Sequence, residues 1–190
     1  MNEGCALFSG DFRDATVARI INEKDQTMNN HLAPTESPMP LLSKGRLQIE
    51  AATRNDVPLI LAFIKELAVY EKLAHEVVAT EETLAETLFG KHPYAEVVIA
   101  LYDGQPVGYA LFFHTFSTFV GRPGLYLEDV YVQPSMRGKG VGKALMTHLA
   151  RLAVDRKCRR FEWAVLDWNE SSICFYKSLG AKPMKEWTVY

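Results

Sequence analysis

Tyr126-Leu-Glu-Asp-Val-Tyr-Val-Gln-Pro-Ser-Met-Arg-Gly-Lys-Gly-Val-Gly-Lys-Ala-Leu145 passes from a strand-like run, through a glycine-rich turn, into a helix. Gly138, Gly140 and Gly142 let the backbone take positive φ and approach a ligand with no Cβ in the way. The helix that follows presents unpaired N–H groups and the positive end of its dipole, which together favour an anion. Arg137 and Lys139 add positive charge. The stretch therefore reads as the pyrophosphate cradle of a coenzyme. A glycine turn without ligand is the rival reading, because such turns are common between strand and helix.

Spacing separates three phosphate-binding patterns. A P-loop needs Gly, four residues, then Gly-Lys-Ser/Thr, but Arg137 stands at the first glycine position and Ala144 follows Lys143. A dinucleotide fingerprint needs Gly-x-Gly-x-x-Gly after the first strand of a doubly wound sheet, and here Lys143 occupies the last glycine position. What remains is Arg137-x-x-Gly140-x-Gly142 after a Val-Tyr-Val strand.

Outward from this stretch, the chain alternates strand and helix signals. Leu47, Ile49 and Ala51 alternate with Gln48 and Glu50 as in a half-buried strand. Asn55 or Asp56 is expected to cap a helix with Pro58 in its first turn and Val57, Ile60, Leu61, Ile64 and Leu67 on its apolar face. Thr80 starts a second helix that runs to Gly90, after an irregular link from Tyr70 to Glu76. Glu96–Tyr102 and Pro106–Phe116 are β-rich runs joined by Asp103-Gly104, a strong hairpin signal, and Leu125–Val132 follows as a third antiparallel strand. After the glycine turn, Val141, Leu145, Leu149 and Leu152 recur at helical spacing. Arg159–Leu166 reads as a strand, and Asn169 with Ser171 or Ser172 opens a short helix that stops at Gly180. Trp187–Tyr190 begins a last strand, inside which the chain ends. The order β-α-α-β-β-β-α-β-α-β predicts an α/β fold with a mixed, mostly antiparallel central sheet and helices on both faces.

Residues 1–45 read as a flexible leader. Thr27–Lys44 is rich in Asn, Pro, Ser and Thr, as in a linker, and Asp11–Lys24 offers a short helix before it. Residues 46–190 are expected to form one domain, consistent with 190 residues of which 48% are apolar.

The net charge of −2 argues against a bulk nucleic-acid binder. It is unevenly spread: residues 54–100 hold eight acids and four bases, and residues 133–190 hold eleven bases and five acids. The first region suits a cationic substrate and the second an anionic coenzyme, although both could be ordinary solvated faces. Cys5, Cys158 and Cys174 lie far apart, are odd in number and match no metal-ligand spacing, which points to a reducing cytoplasmic setting. The five histidines are scattered, so no metal site is expected. No apolar run reaches the roughly 18 residues of a membrane helix.

The element order and the loop together resemble the GCN5-related N-acetyltransferase (GNAT) superfamily from Leu47 to Tyr190. Four strings resemble its diamine branch, the spermidine/spermine and thialysine acetyltransferases: Ile64-Lys-Glu-Leu-Ala-Val-Tyr-Glu71, Tyr126-Leu-Glu-Asp-Val-Tyr-Val132, Arg137-Gly-Lys-Gly-Val-Gly142 and Trp168-Asn-Glu-Ser-Ser-Ile-Cys-Phe-Tyr-Lys-Ser-Leu-Gly180. The resemblance implies acetyl transfer from acetyl-CoA to a primary amine of a small polyamine or lysine-like substrate, in a homodimer. It implies that Val130, Tyr131 and Val132 guide the pantetheine arm. Amides of Arg137, Gly138, Lys139, Gly140, Val141 and Gly142 would hold the pyrophosphate, and Asn169 and Ser172 would touch the coenzyme. Tyr176 matches the proton donor to the thiolate, and Glu128 an acid that meets the amine, with Tyr70, Glu71 and Asp129 in the acceptor site. Relatives continue several residues past Tyr190. Protein lysine, an N-terminal amine or an aminoglycoside are the rival acceptors, and a non-catalytic acyl-CoA-binding module is the rival class.

The residues themselves carry a chemical case. An alkyl ammonium with a pKa of about 10 must lose a proton before its nitrogen attacks a thioester. Glu128, on the strand before the cradle, can accept that proton directly or through water, or can serve only as an electrostatic anchor. Asp129 falls on the opposite face of a regular strand, and a bulge would re-aim it. A phenol such as Tyr176 can protonate the departing thiolate, although a helical aromatic is often core. Trp163, Trp168 and Tyr70 fit either packing or a channel for a cationic amine. Cys174 has no base at recognisable spacing, so direct transfer is expected over a covalent acyl-enzyme.

Overall fold

The computed structural model describes residues 5–9 and 47–184, so the expected Asp11–Lys24 helix, the Thr27–Lys44 linker and the Trp187–Tyr190 strand lie outside the described residues. Among the described residues the strands are β1 (Cys5–Ser9), β2 (Leu47–Ala51), β3 (Glu96–Tyr102), β4 (Gln105–Ser117), β5 (Arg122–Val132), β6 (Arg160–Ala164) and β7 (Lys182–Pro183). The helices are α1 (Val57–Tyr70), α2 (Glu81–Phe89), α3 (Val141–Asp155) and α4 (Glu170–Ser178). The result is the expected mixed, mostly antiparallel α/β arrangement. Of the described residues, those within Leu42–Phe113 and Glu128–Met146 form one compact unit, and those within Met1–Leu41, His114–Leu127 and Thr147–Tyr190 form the other.

In the first unit the strands follow the order β2-β3-β4-β5. The β3–β4 hairpin turns where the sequence predicts it: Asp103 has φ 51° and Gly104 φ 76°, two positive values in the two-residue loop that matches the twist of the strands. Two residues later the register slips. Leu101 faces Pro106 and Ala100 faces Gly108, which leaves Val107 as a bulged extra residue in β4. The Val107 carbonyl accepts the Gln133 N–H at 2.9 Å, and so ties the end of β5 to the bulge. Gly108 permits this approach, because a Cβ there would collide with the Tyr131 carbonyl and lie 3.2 Å from the Val132 Cα.

The α1 entry differs from expectation in one detail. Asp56 does occupy the N-cap, but its side chain makes no cap bond there. Its carboxylate instead accepts from the Thr53 backbone N–H and hydroxyl, both at 2.7 Å, across the preceding 3₁₀ turn. Thr80 caps α2 as predicted, exchanging bonds with Thr83 in both directions. The core of this unit joins Ile60 and Phe63 of α1, Leu88 of α2, Val97 of β3, Tyr109 of β4 and Tyr131 of β5. Burying each such side chain stabilises the unit by roughly 1.5–3 kcal/mol. Phe63 lies at the centre, stacked on Tyr109 at 5.7 Å and tilted against Tyr131 at 5.9 Å.

In the second unit the strands follow the order β4-β5-β6-β1-β7. β5 and β6 are parallel, pairing Leu125, Tyr126 and Leu127 with Phe161, Glu162 and Trp163. β1 was not anticipated: it runs antiparallel to β6 from Cys5↔Ala164 to Ser9↔Arg160, and also pairs with β7. The run Ala6-Leu7-Phe8 between two glycines is β-compatible, but it is too short to announce a partner some 150 residues away in sequence. β6 stops at Ala164, short of the expected Leu166. On α3 the buried residues are Val141, Leu145, Met146, Leu149, Ala150 and Ala153, which share one face of the helix, and the expected Leu152 is only half-buried.

Candidate active site

The first unit holds most of the predicted site. Glu128, Asp129, Val130, Tyr131 and Val132 close β5, and Pro134–Met136 makes a 3₁₀ turn into the loop from Arg137 to Gly140, after which α3 begins at Val141. Gly138 has φ 74° and Gly140 φ 86°, so both need glycine for their backbone conformation. Nothing lies within 4 Å of where their Cβ atoms would be, so the loop opens outward at both positions. Gly142 is different. It sits within the first turn of α3 without a positive φ, so only two of the three glycines provide the turn.

Arg137 is the hinge between the loop and the residues around it. Its Nε donates to the Val132 carbonyl at 3.1 Å, and its Cζ stands 4.5 Å from the centroid of the Tyr70 ring, a cation–π distance. The positive loop residue and the aromatic residue predicted for the acceptor side are therefore in direct contact. The Ala144 N–H donates to Gly140 at 2.9 Å, which starts the helical ladder and leaves the N–H groups of the first turn without intrahelical partners. Two positive-φ glycines, a helix N-terminus and exposed Arg137 and Lys139 fit a pyrophosphate.

Beside Tyr70, helix α1 ends in a tight cap. The Glu71 N–H donates to Leu67 at 2.9 Å and the Leu73 N–H to Ala68 at 2.8 Å, with Lys72 at φ 63° in the left-handed region usually given to glycine. This fixes the half-buried Glu71 close enough to Asp129 for the two charges to interact. On β5 the side chains alternate regularly. Leu127 and Tyr131 are buried, Asp129 is half-buried on the same face, and Glu128 is exposed. The bulge lies in β4 and does not re-aim Asp129. The face it shares with Tyr131 brings it to the Tyr109 hydroxyl, which donates to Asp129 Oδ2 at 2.8 Å.

The electrostatics of this group are those of carboxylates taken partly out of water. Burial raises Asp129 above the ordinary aspartate value, and the Tyr109 hydrogen bond pulls it back. Glu71 and Glu128 are both raised, first by burial and then by the Asp129 charge. Tyr109 is pushed far above the usual phenol range by burial and by the carboxylates, so it stays a proton donor. Tyr131 is pushed up to about 12, by burial and by a hydrogen bond and charge from Glu66, against the opposing charge of Arg137. Carboxylates held above their usual range are suited to take a proton near neutral pH. Sequence reading missed Tyr109 and Glu66. Tyr109 lies in a β-rich run, and only the register of β4 on β5 reveals its partner.

The second unit holds the rest. Asn169 caps α4, its Oδ1 accepting the Ser172 N–H at 3.2 Å, and is 6% exposed. Tyr176 is buried on α4, with ring centroids of Trp163 at 5.0 Å and Phe175 at 5.4 Å. Trp163 also meets Phe161 at 5.0 Å. Trp163 is therefore core and lines no channel, whereas Trp168 is exposed. Cys174 is an exposed free thiol and Cys158 a buried one. No helix among the described residues is long and apolar enough to cross a membrane.

Comparison with known proteins accords with this geometry. A thialysine N-epsilon-acetyltransferase of Sus scrofa is 40% identical over 146 residues, covering 73% of this chain and 85% of that protein. The L-ornithine N5-acetyltransferase NATA1 of Arabidopsis thaliana is 32% identical over 185 residues, covering 74% of this chain and 81% of that protein. Among solved structures, an integron cassette protein from the mobile metagenome of V. cholerae matches with a TM-score of 0.66 at 28% identity, covering 77% of this chain and 92% of its own. The sequence pattern of the acetyltransferase (GNAT) family matches residues 63–181. This chain, with its strand, glycine turn and helix in that order, belongs to the GNAT family of acetyltransferases.

Proposed function

We propose that this acetyltransferase moves acetyl from acetyl-CoA to a primary amine of a small diamine, polyamine or lysine-like substrate, by direct attack. The observation that carries the reading is the gathering of Glu71, Glu128 and Asp129 in the unit that also holds the Arg137–Gly142 loop. Burial raises the proton affinity of all three carboxyls, and the Asp129 charge raises that of Glu71 and Glu128 further, a grouping that suits an acceptor with more than one ammonium. The relatives at 40% and 32% identity, a thialysine and an ornithine acetyltransferase by name, act on amines of that chemistry.

Acetyl-CoA supplies an activated thioester carbonyl. The chain's own residues do the rest. The backbone of Val130, Tyr131 and Val132 guides the pantetheine arm, and the amides of Arg137, Gly138, Lys139, Gly140, Val141 and Gly142 bind the pyrophosphate. Glu128, exposed and raised in pKa, takes the ammonium proton directly or through water, while Tyr70, Glu71 and Asp129 hold the acceptor. Asn169 and Ser172 touch the coenzyme, and Tyr176 protonates the departing thiolate. The catalytic machinery lies within residues 46–190, in a sheet to which β1 adds a strand; it needs no metal, and works as a cytoplasmic homodimer on a small molecule, with neither nucleic acid nor membrane as partner.

Release of free CoA across a panel of amines tests the substrate class. Diamines and thialysine-like amines should give the highest kcat/KM, and turnover confined to a protein lysine, an N-terminal amine or an aminoglycoside would replace it. Saturating acetyl-CoA should raise Tm, by about 2.7 kcal/mol of added stability at a hundredfold excess over Kd.

A further inference from the structure

We infer that Tyr109 is the positioning residue of the acceptor site, holding Asp129 in place and ionised through the bond from its hydroxyl to Asp129 Oδ2. This rests on the reading of Glu71, Glu128 and Asp129 as the acceptor's anionic residues. The geometry behind it is specific. Tyr109 is 0% exposed, and its ring is stacked on Phe63 at 5.7 Å with 13° between the planes, so the phenol has one fixed direction. Along that direction lies Asp129, at 2.8 Å. A hydroxyl buried this deeply must find a partner, and a carboxylate is the strongest acceptor available to it. In return, Asp129 gains a donor that favours its charged form, which burial disfavours.

The other charged groups make the consequence readable. Glu71 at the end of α1 and Glu128 on β5 both feel the Asp129 charge, and Tyr109 on β4 feels all three carboxylates. Glu66 and Arg137 act on Tyr131 of the same β5 face. Asp129 is thus the charge that tunes its neighbours: while it is ionised, it adds to burial in raising the proton affinity of Glu71 and Glu128. Without the Tyr109 bond, Asp129 would take up a proton at higher pH. The cluster would then lose the anion that binds the acceptor and raises the two glutamates. The acid limb of the rate profile belongs to the three carboxyls together.

Tyr109→Phe keeps the ring on Phe63 and removes only the hydroxyl, so the full chain should still fold. The Asp129 carboxyl, followed by its 13C shift, should titrate about one pH unit higher than in the wild type, a tenfold change in the ionised fraction below its midpoint. The acid limb of kcat/KM for a diamine should move in the same direction, with the loss largest on the acid side of the profile. In an Asp129→Asn background, Tyr109→Phe should move the limb no further. An unchanged Asp129 titration in folded Tyr109→Phe overturns the positioning role. A shifted titration with an unshifted limb overturns instead the reading of Asp129 as an acceptor residue. A uniform loss at every pH with no titration shift assigns Tyr109 to packing.

Discussion

Two buried tyrosines in this enzyme are held in opposite ways. Tyr109 is fixed by a stacked ring and a carboxylate on its hydroxyl, among Glu71, Glu128 and Asp129. Tyr176 is fixed by an apolar aromatic group, with Trp163 and Phe175 around its ring. The first environment makes the phenol a permanent donor to an anion, because every neighbouring charge opposes its ionisation. The second grips the ring through its faces and edges, and leaves the chemistry of the phenol to whatever its hydroxyl meets. Burial alone therefore does not tell a catalytic tyrosine from a positioning one. What surrounds the oxygen does.

Breaking the aromatic side of this comparison should have the largest effect. Trp163→Ala removes the ring between Phe161 and Tyr176 and should lower stability by about 3–5 kcal/mol, read from the denaturant midpoint. A loss under about 1 kcal/mol would mean that the group packs loosely. Next comes Tyr176→Phe, which keeps the packing and deletes the oxygen. Here kcat should fall at least about tenfold with Tm unchanged, as expected for loss of a general acid, and wild-type turnover would return Tyr176 to a purely structural role.

The smallest effect tests the acidic side through stability. Burial and the Asp129 charge hold Glu71 above its ordinary value, so the folded chain binds that proton more tightly than the unfolded chain does. Ionising Glu71 therefore destabilises the fold, an effect absent below about pH 4 that grows as pH rises through the raised folded-state value. Glu71→Gln should raise Tm at neutral pH by roughly one or two degrees, the scale of less than 1 kcal/mol in a chain of this length, and leave it unchanged near pH 4. A fall in Tm at neutral pH would show that Glu71 is stabilised where it stands.

Much of the fold was legible from local chemistry. Asp103-Gly104 specified the hairpin because both positions require positive φ, and Asn169 specified the start of α4 because its side chain can satisfy an orphan N–H. The glycine turn was legible for the same reason at Gly138 and Gly140, and over-read at Gly142, where helix rather than turn sets the backbone. What stayed hidden depends on pairings distant in sequence. β1 has no alternation to mark its place on β6, and the bond between Tyr109 and Asp129 joins two strands whose pairing composition does not signal. The contact of Arg137 with Tyr70 likewise joins two strings that were each visible but could not be placed side by side.

Gly108 also bears on what can be engineered in this enzyme. Alanine at Gly108 already overlaps the Tyr131 carbonyl, and any larger side chain would overlap it too. In a library that varies every position, β4 would reject change at this point. The step that brings the end of β5 onto the bulge thus makes Gly108 a near-invariant letter in any working variant.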